Sequence, residues 1–182
     1  MASHITVAPC APSAYRSIIP QLAMLLKSCV DDNITMNFVQ PFSIEDASKF
    51  WLSMEENIIK GKQFVIIAQE DSTDSDGVPI VLGCVILNLS QTPNAGHRGE
   101  VGKMIVGKEH RKRGIGKILM DCMEEVSRKN NRTVLVLDTQ TGSGAEIFYE
   151  RMGYNKVGVL PDVTLSPDRK QYTSCTFFIK KL

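Results

Sequence analysis

The stretch Glu100–Met120, EVGKMIVGKEHRKRGIGKILM, changes its pattern twice along its length. Its first residues are mostly apolar and predict a strand, in which Gly102 predicts a bulge or a close backbone approach. A basic, glycine-containing segment, RKRGIG at 111–116, follows the strand. From Ile115 onward, apolar residues recur every three to four positions and predict a helix. The order of strand, basic loop and helix decides the fold class.

Residues 111–116, called the basic loop below, have the properties of an anion site. The first amides of a helix have no internal partner, and the helix dipole adds partial positive charge there. Glycines allow a close backbone approach, and basic side chains add full charges. Positive charge at a helix N-terminus is unfavourable unless an anion is present, so a phosphate or pyrophosphate is expected rather than a solvated turn.

Two common phosphate motifs do not match the basic loop. The P-loop pattern needs a glycine where Arg111 stands and a hydroxyl where Ile118 stands. The dinucleotide pattern needs a third glycine where Leu119 stands. The loop therefore predicts a different kind of phosphate ligand.

The remaining sequence predicts one α/β domain over residues 1–182, with a mixed, mostly antiparallel sheet of about six to seven strands and helices on both faces. Strands are predicted at 4–9, 63–70, 80–89, 100–107, 133–138, 154–160 and 172–182. Besides the helix after the basic loop, helices are predicted at 13–30, 41–62 and 143–154. The all-apolar run at 133–138 is typical of a buried parallel strand. Polar loops are predicted at 70–79 and 161–171.

Local signals refine the helices. Pro20 predicts that the first helix starts or kinks there. Ser43 with Asp46, and Ser143 with Glu146, predict capping boxes at two helix starts. Gly153 suits the left-handed position after the last of these helices. Phe50 and Trp51 are predicted to lie in the core.

Composition excludes several function classes. The chain has 21 basic and 20 acidic residues and a net charge of +1, which argues against a general nucleic-acid partner. No apolar stretch reaches the length of a membrane span, and the start has no signal-peptide pattern. Five cysteines without a CxxC pair predict reduced thiols in an intracellular, cytoplasmic protein. The three histidines lack metal-ligand spacing, so no metal is expected.

The pattern Arg-x-x-Gly-x-Gly, after a strand and at the start of a helix, resembles the acetyl-CoA signature of the GNAT (GCN5-related) N-acetyltransferases. The block VLVLDTQTGSGAEIFYERMGY at 134–154 resembles the second conserved region of that family. The C-terminal part, with LPD, SPD and TFFIKKL, is most similar to small-molecule resistance-type members such as tabtoxin acetyltransferase. The resemblance is strongest over 100–182 and weak over 1–60, a region that usually helps to form the acceptor site in this family.

The resemblance implies a GNAT fold and transfer of acetyl from acetyl-CoA to the amine of a small molecule. The backbone of Met104, Ile105 and Val106 would pair with the pantetheine arm, and an N–H there would hold the thioester oxygen. The pyrophosphate would be bound by these residues of the loop and first helical turn: Arg111, Lys112, Arg113, Gly114, Ile115, Gly116 and Lys117.

Three residues are candidates for the chemistry. Glu100 starts its strand and Asp138 ends another, and both match positions that deprotonate the acceptor amine in similar enzymes. Tyr149 stands where the family has its general acid, and a tyrosine pKa near ~10 is close enough to a thiol pKa near ~8.5 for proton transfer. The alternatives are a surface or hairpin-paired carboxylate for Glu100 and Asp138, and a core aromatic for Tyr149.

Other functions stay open at the level of sequence. A protein or peptide acetyltransferase would need an open groove for a chain. A CoA-binding sensor would have no cause to keep Glu100, Asp138 and Tyr149 together. Either a monomer or a homodimer is compatible with the sequence.

Overall fold

The computed structural model describes residues 4–182, which form seven strands and five α-helices. The strands are β1 Ile5–Pro9, β2 Gln63–Thr73, β3 Pro79–Leu89, β4 Arg98–Val106, β5 Val134–Gln140, β6 Asn155–Leu165 and β7 Tyr172–Lys181. The helices are α1 Tyr15–Asp31, α2 Ile44–Leu52, α3 Glu55–Ile59, α4 Ile115–Lys129 and α5 Gly144–Arg151. Short 3-10 turns precede α1, β4 and the basic loop.

One sheet contains all seven strands in the order β1-β2-β3-β4-β5-β7-β6. Only β4 and β5 are parallel, and every other neighbouring pair is antiparallel. The prediction of a mixed, mostly antiparallel sheet is confirmed. The parallel pair can be reached only through a crossover, which α4 supplies.

The sheet separates two hydrophobic cores. On one face, α1 and α2 pack over β2 and β3, with Leu22, Leu26 and Trp51 fully buried. On the other face, α4 and α5 pack over the middle of the sheet, with Leu119 and Met123 fully buried. In the central strands β2 and β3, alternating side chains contribute to the two cores in turn. Helices on both faces, as predicted, are confirmed.

The first predicted helices differ from the observed ones in two ways. Helix α1 runs through Pro20 from Tyr15 to Asp31, and Pro20 is exposed, so the missing backbone bond lies on the solvent side. The helix predicted at 41–62 is two helices, α2 and α3. At the break, the Ser53 hydroxyl donates to the Phe50 carbonyl oxygen at 2.6 Å and competes with the helical bonding.

One capping box is confirmed and the other is wrong. The amide of Asp46 donates to the Ser43 hydroxyl, and the Ser43 amide donates to the Asp46 carboxylate, both at 3.0 Å. Ser143 instead has a buried hydroxyl without a hydrogen-bond partner among the described residues. Glu146 accepts from the Gly142 amide at 2.6 Å, one residue earlier than a capping box requires.

Two predicted loops are shorter than expected. Strand β2 continues to Thr73, and β6 continues to Leu165 instead of giving way to a loop at 161. The ladder of β6 with β7 is irregular between Leu160 and Thr164, where Asp162 has a φ of 53°. The irregularity explains why the polar sequence LPD there predicts a loop although pairing resumes beyond it.

Candidate active site

The strands β4 and β5 pair only at their beginnings. Three register pairs join them, and Glu100 opposite Val136 is the last. Beyond these pairs the strands separate, so residues 101–106 of β4 and 137–140 of β5 border a cleft, called the β4–β5 cleft below. Each strand keeps its other neighbour, β3 or β7, and therefore presents one unpaired backbone edge to the cleft.

A bulge in β4 sets which side chains face each side of the sheet. Opposite Cys84 and Ile86 of β3 stand Ile105 and Gly102, so β4 carries one extra residue between them. Lys103 lies at this bulge with a φ of 47°. The bulge predicted at Gly102 is confirmed one position further along. As a result, Ile105 joins the α1–α2 core, whereas Met104 packs against the α4–α5 core.

The basic loop leads from β4 into α4 with its amides free. Lys112 and Gly114 have positive φ values of 61° and 80°, and this alternation turns successive N–H groups toward one side. In the described part of the chain, the amides of residues 112–116 donate to no oxygen. The first turn of α4 contains no acidic residue. The loop therefore presents uncompensated positive potential to an anion.

The basic side chains of this region do not all have the same role. The Arg111 Nε donates to the Val106 carbonyl oxygen at 3.1 Å, which ties the loop to the end of β4. Arg113 contacts His110 at 3.2 Å, and Lys117 pairs with Asp121 at 2.6 Å. Lys112 extends into solvent. The loop thus lies at the open end of the β4–β5 cleft.

Tyr149 lies on α5 beside the cleft strand β5. It is 7% exposed, and its ring packs against the rings of Phe148, Tyr154 and Phe178. Its hydroxyl makes no hydrogen bond to the described part of the chain. Burial, and secondarily the charge of Asp138, raise the pKa of Tyr149 well above its ordinary value. The hydroxyl is therefore protonated at neutral pH and free to donate.

Glu100 and Asp138 share the sheet face opposite to α4 and α5. Leu135 and Leu137 belong to the α4–α5 core, so the alternate residue Asp138 points the other way. Glu100 is exposed, and Asp138 is half-buried and accepts a hydrogen bond from the Cys175 thiol at 3.2 Å. Burial, and then Asp138, raise the pKa of Cys175 to about 12, so the thiol stays protonated and keeps donating.

The comparison with known protein families agrees with this geometry. The model of the Acetyltransferase (GNAT) family matches residues 31–154, more than half of the chain. This chain belongs to the GNAT acetyltransferase family. The match covers the β4–β5 cleft, the basic loop and Tyr149. The resemblance of the sequence to this family is confirmed.

Individual relatives of this GNAT protein are distant. A segment of 59 residues is 32% identical to a Bacillus subtilis (strain 168) protein assigned as an acetyltransferase. That segment is 32% of this chain, and the chain spans only 39% of the length of that relative.

Solved structures share the GNAT fold over nearly the whole chain. A GCN5-related N-acetyltransferase from Kribbella flavida is 17% identical with a TM-score of 0.73, over 98% of each chain. Ribosomal-protein-alanine N-acetyltransferase from Brucella melitensis is 18% identical with a TM-score of 0.73, over 97% of this chain and 99% of its own. A Salmonella typhimurium protein assigned as an acetyltransferase, whose structure was solved with its cofactor acetyl-CoA, is 17% identical with a TM-score of 0.72. The match covers 98% of this chain and 94% of the Salmonella chain. At such identities the likeness shows the fold alone.

Sequence reasoning gave no special place to one charged residue near Asp138. The Lys103 ammonium lies 4.9 Å from the ring centre of Phe38 and 5.7 Å from that of Phe50. Burial lowers the pKa of Lys103, and the charge of Asp138 opposes this shift. Phe50 is half-buried beside this charge, whereas Trp51 is fully buried as predicted. The sequence showed Lys103 only as one of several neighbouring basic residues.

Two loops meet across the GNAT sheet on the face of Asp138. The Gln40 amide, in the loop between α1 and α2, donates to the Pro167 carbonyl oxygen at 2.7 Å. The Asp168 amide, in the loop between β6 and β7, donates to the Asn33 side chain at 3.0 Å. These bonds, called the loop bridge below, join the first part of the chain to its last hairpin.

Residues 4–182 show neither a metal-ligand cluster nor a membrane-spanning helix. No group of three or more potential metal ligands lies together there. None of the described helices has both the length and the apolar character to cross a membrane. The five cysteines are free thiols, and all except Cys122 are buried.

Proposed function

We propose that this chain transfers acetyl from acetyl-CoA to the amine of a small-molecule acceptor. The observation that carries the proposal is the row of free amides at residues 112–116, which open α4 at the end of the β4–β5 cleft. A pyrophosphate suits this place, because it accepts several N–H bonds and neutralises the basic loop. Gly114 leaves room for the close approach, because an added Cβ there would meet nothing within 4 Å.

The cleft suits the rest of the cofactor. A pantetheine arm contains two amides and can pair with an unpaired strand edge as a further strand would. The backbone of Met104, Ile105 and Val106 borders the cleft beyond the last β4–β5 pair. An N–H of this segment would hold the thioester oxygen as negative charge develops on it.

The chemistry needs a base for the acceptor and an acid for the leaving thiolate. Glu100 and Asp138, on one face beside the cleft, would accept the proton that the ammonium form of the acceptor must lose. The amine then forms the new bond to the acetyl carbon while the carbon–sulfur bond breaks, and the nitrogen loses its second proton to the other carboxylate or to water. Tyr149, on the other face, would donate its proton to the CoA thiolate, and its raised pKa keeps that proton in place beforehand.

The loop bridge supports a compact acceptor over a polypeptide. It links loops from both ends of the chain across the face where Glu100 and Asp138 lie. A long chain crossing this face would have to pass or displace these hydrogen bonds, whereas a small amine would not. A detoxification or resistance role, which the resemblance to tabtoxin acetyltransferase implies, is compatible with such an acceptor.

Acetyl transfer can be tested by following CoA release with a panel of amino acids, polyamines, aminoglycosides and other amines. In the presence of an accepted amine, Tyr149→Phe should lower kcat about 100- to 10,000-fold, the range of general acid catalysis. Acetyl-CoA affinity, measured by calorimetry, should persist. Tyr172→Phe is the matched control, because Tyr172 is 71% exposed on β7. Full turnover by Tyr149→Phe would contradict the role of the tyrosine, and cofactor binding without transfer to any amine would contradict the proposed function.

A further inference from the structure

The Lys103 ammonium makes no salt bridge or hydrogen bond in the described part of the chain, although the charge of Asp138 acts on it. The ammonium instead faces the rings of Phe38 and Phe50. Such contacts compensate only part of the hydration that a half-buried ammonium loses. The contrast with Lys180 is clear, because that ammonium lies 2.6 Å from Glu124 and also donates to the Met152 carbonyl oxygen at 2.7 Å.

The backbone holds Lys103 in this position at a cost. A φ of 47° is uncommon for a residue with a side chain, and it occurs at the bulge where β4 borders the cleft. The bulge places Lys103 on the sheet face that also carries Glu100 and Asp138. Backbone strain, together with a charge that forms no hydrogen bond among the described residues, is expected at a binding site rather than in a structural support.

The surroundings of Lys103 combine one positive group with apolar walls. Phe38 comes from the loop between α1 and α2, the loop that also forms the loop bridge. Its ring packs edge-on against Phe50 of α2, with the ring centres 5.1 Å apart. Phe42 contacts Phe38 at 5.0 Å between ring centres and extends this aromatic wall.

We propose that Lys103, with the aromatic wall of Phe38, Phe42 and Phe50, is the subsite that binds a carboxylate of the acceptor. The acceptor is then an amine that also carries a carboxylate, as an amino acid does. This inference rests on the proposed function, since it takes Glu100 and Asp138 as the end that receives the amine. The cation binds the carboxylate, the two acids face the ammonium, and the rings contact the apolar part between or beside them.

The same arrangement disfavours polycations. A second ammonium on the acceptor would approach Lys103 and be repelled. Polyamines and aminoglycosides are therefore expected to be poor acceptors. Amines with one carboxylate and an apolar side chain are expected to be good ones.

The test compares α-amino acids with their carboxamides, which differ only in the proposed anionic group. The wild-type protein should acetylate the acid with the higher kcat/KM. Lys103→Met should lower the acid-to-amide ratio about 10- to 100-fold, as expected for loss of a charge-assisted hydrogen bond. Lys103→Arg should retain most of the ratio. Because only ratios are compared between variants, the different basicities of the two amines cancel.

Lys49→Met is the matched control, since Lys49 is exposed on α2 next to Phe50 and pairs with Glu45. It should leave the ratio unchanged. CoA affinity should be the same in all variants, which shows that they are folded. An acid-to-amide ratio in Lys103→Met that equals the wild-type ratio would overturn the inference.

A binding measurement separates this inference from the proposed function. With CoA present, calorimetry compares the affinities of the acid and the amide without any turnover. If no amine is acetylated but the acid binds more tightly in a Lys103-dependent manner, the proposed function fails and the carboxylate subsite stands. If transfer occurs but the acid-to-amide ratio does not depend on Lys103, the subsite is wrong and the proposed function stands.

Discussion

Replacing Gly114 with alanine perturbs the basic loop by an amount that the structure defines. Gly114 has φ 80° and ψ −2°, and an added Cβ would meet no heavy atom within 4 Å. The cost is therefore purely conformational, about 1–2 kcal/mol for a residue with a side chain in the left-handed region. The added methyl group does not clash with any atom of the described chain.

The cost can appear in either of two measurements. If the loop keeps its conformation, the free energy of unfolding falls by about 1–2 kcal/mol and CoA affinity is unchanged. If the loop relaxes, stability changes little, and CoA must restore the strained conformation, so affinity falls by about 5- to 30-fold. The two losses together should amount to the same 1–2 kcal/mol.

Urea denaturation measures the loss of stability, and calorimetric titration with CoA measures the loss of affinity. Gly77→Ala is the matched control, because Gly77 has φ 77°, equally free surroundings and a place in the turn between β2 and β3. It should lose the same stability and keep full CoA affinity. If Gly114→Ala changes neither stability nor affinity, the reasoning about the left-handed residue is refuted. An affinity loss far above the range would mean that the methyl group itself contacts the ligand.

Four further outcomes are expected. Gly116→Ala should raise the free energy of unfolding by about 0.5–1 kcal/mol, because alanine has the higher helix propensity. The added methyl group would contact only the side chains of Phe148 and Met104, at 3.4–3.6 Å. A lower stability in urea would contradict this prediction. Lys180→Met should lower the free energy of unfolding by about 3–5 kcal/mol, because it leaves the Glu124 carboxylate, which is 7% exposed, without its closest partner. In the same urea denaturation, Lys27→Met, which removes one member of an exposed ion pair, should lower it by less than about 1 kcal/mol. The hydrogen bonds from Ser43 lower the pKa of Asp46. The stability that Asp46 contributes is therefore fully present above its unfolded-state pKa of about 3.9 and is lost as the pH falls through its folded-state pKa. In melting curves, Asp46→Asn should lack this acid-dependent loss. Because burial raises the pKa of Tyr149, kcat should show no alkaline decline from this group up to about pH 10, and a decline that disappears in Tyr149→Phe would contradict its protonated state.

The sequence predicted the parts of the fold that depend on local patterns. The basic loop and α4 could be recognised because glycines, charges and helical periodicity occur within a few residues of each other. The last predicted strand and the β2–β3 hairpin follow from short apolar runs between polar turns. The parallel pairing of β5 was also predictable, because an all-apolar strand must be covered on both faces.

The features that were missed depend on contacts between distant segments. Among the described residues the Ser143 hydroxyl has no partner. Glu146 instead accepts from the Gly142 amide and from the hydroxyl of Thr176, which comes from β7. The break between α2 and α3 follows a local hydroxyl bond that is compatible with a continuous helical pattern. Lys103 gains its surroundings from a one-residue bulge and from Phe38, and no spacing rule connects those residues.

The short ladder between β4 and β5 has a mechanical consequence. The sheet consists of a four-stranded part, β1 to β4, and a three-stranded part, β5 to β7, and three residue pairs join them. Beyond these pairs, β4 and β5 each keep one unpaired backbone edge. A ligand that hydrogen-bonds to both free edges would hold the two parts of the sheet together. Amide hydrogen exchange in residues 101–106 and 137–140 should then slow when this ligand is bound, while exchange in the other strands of each part stays the same.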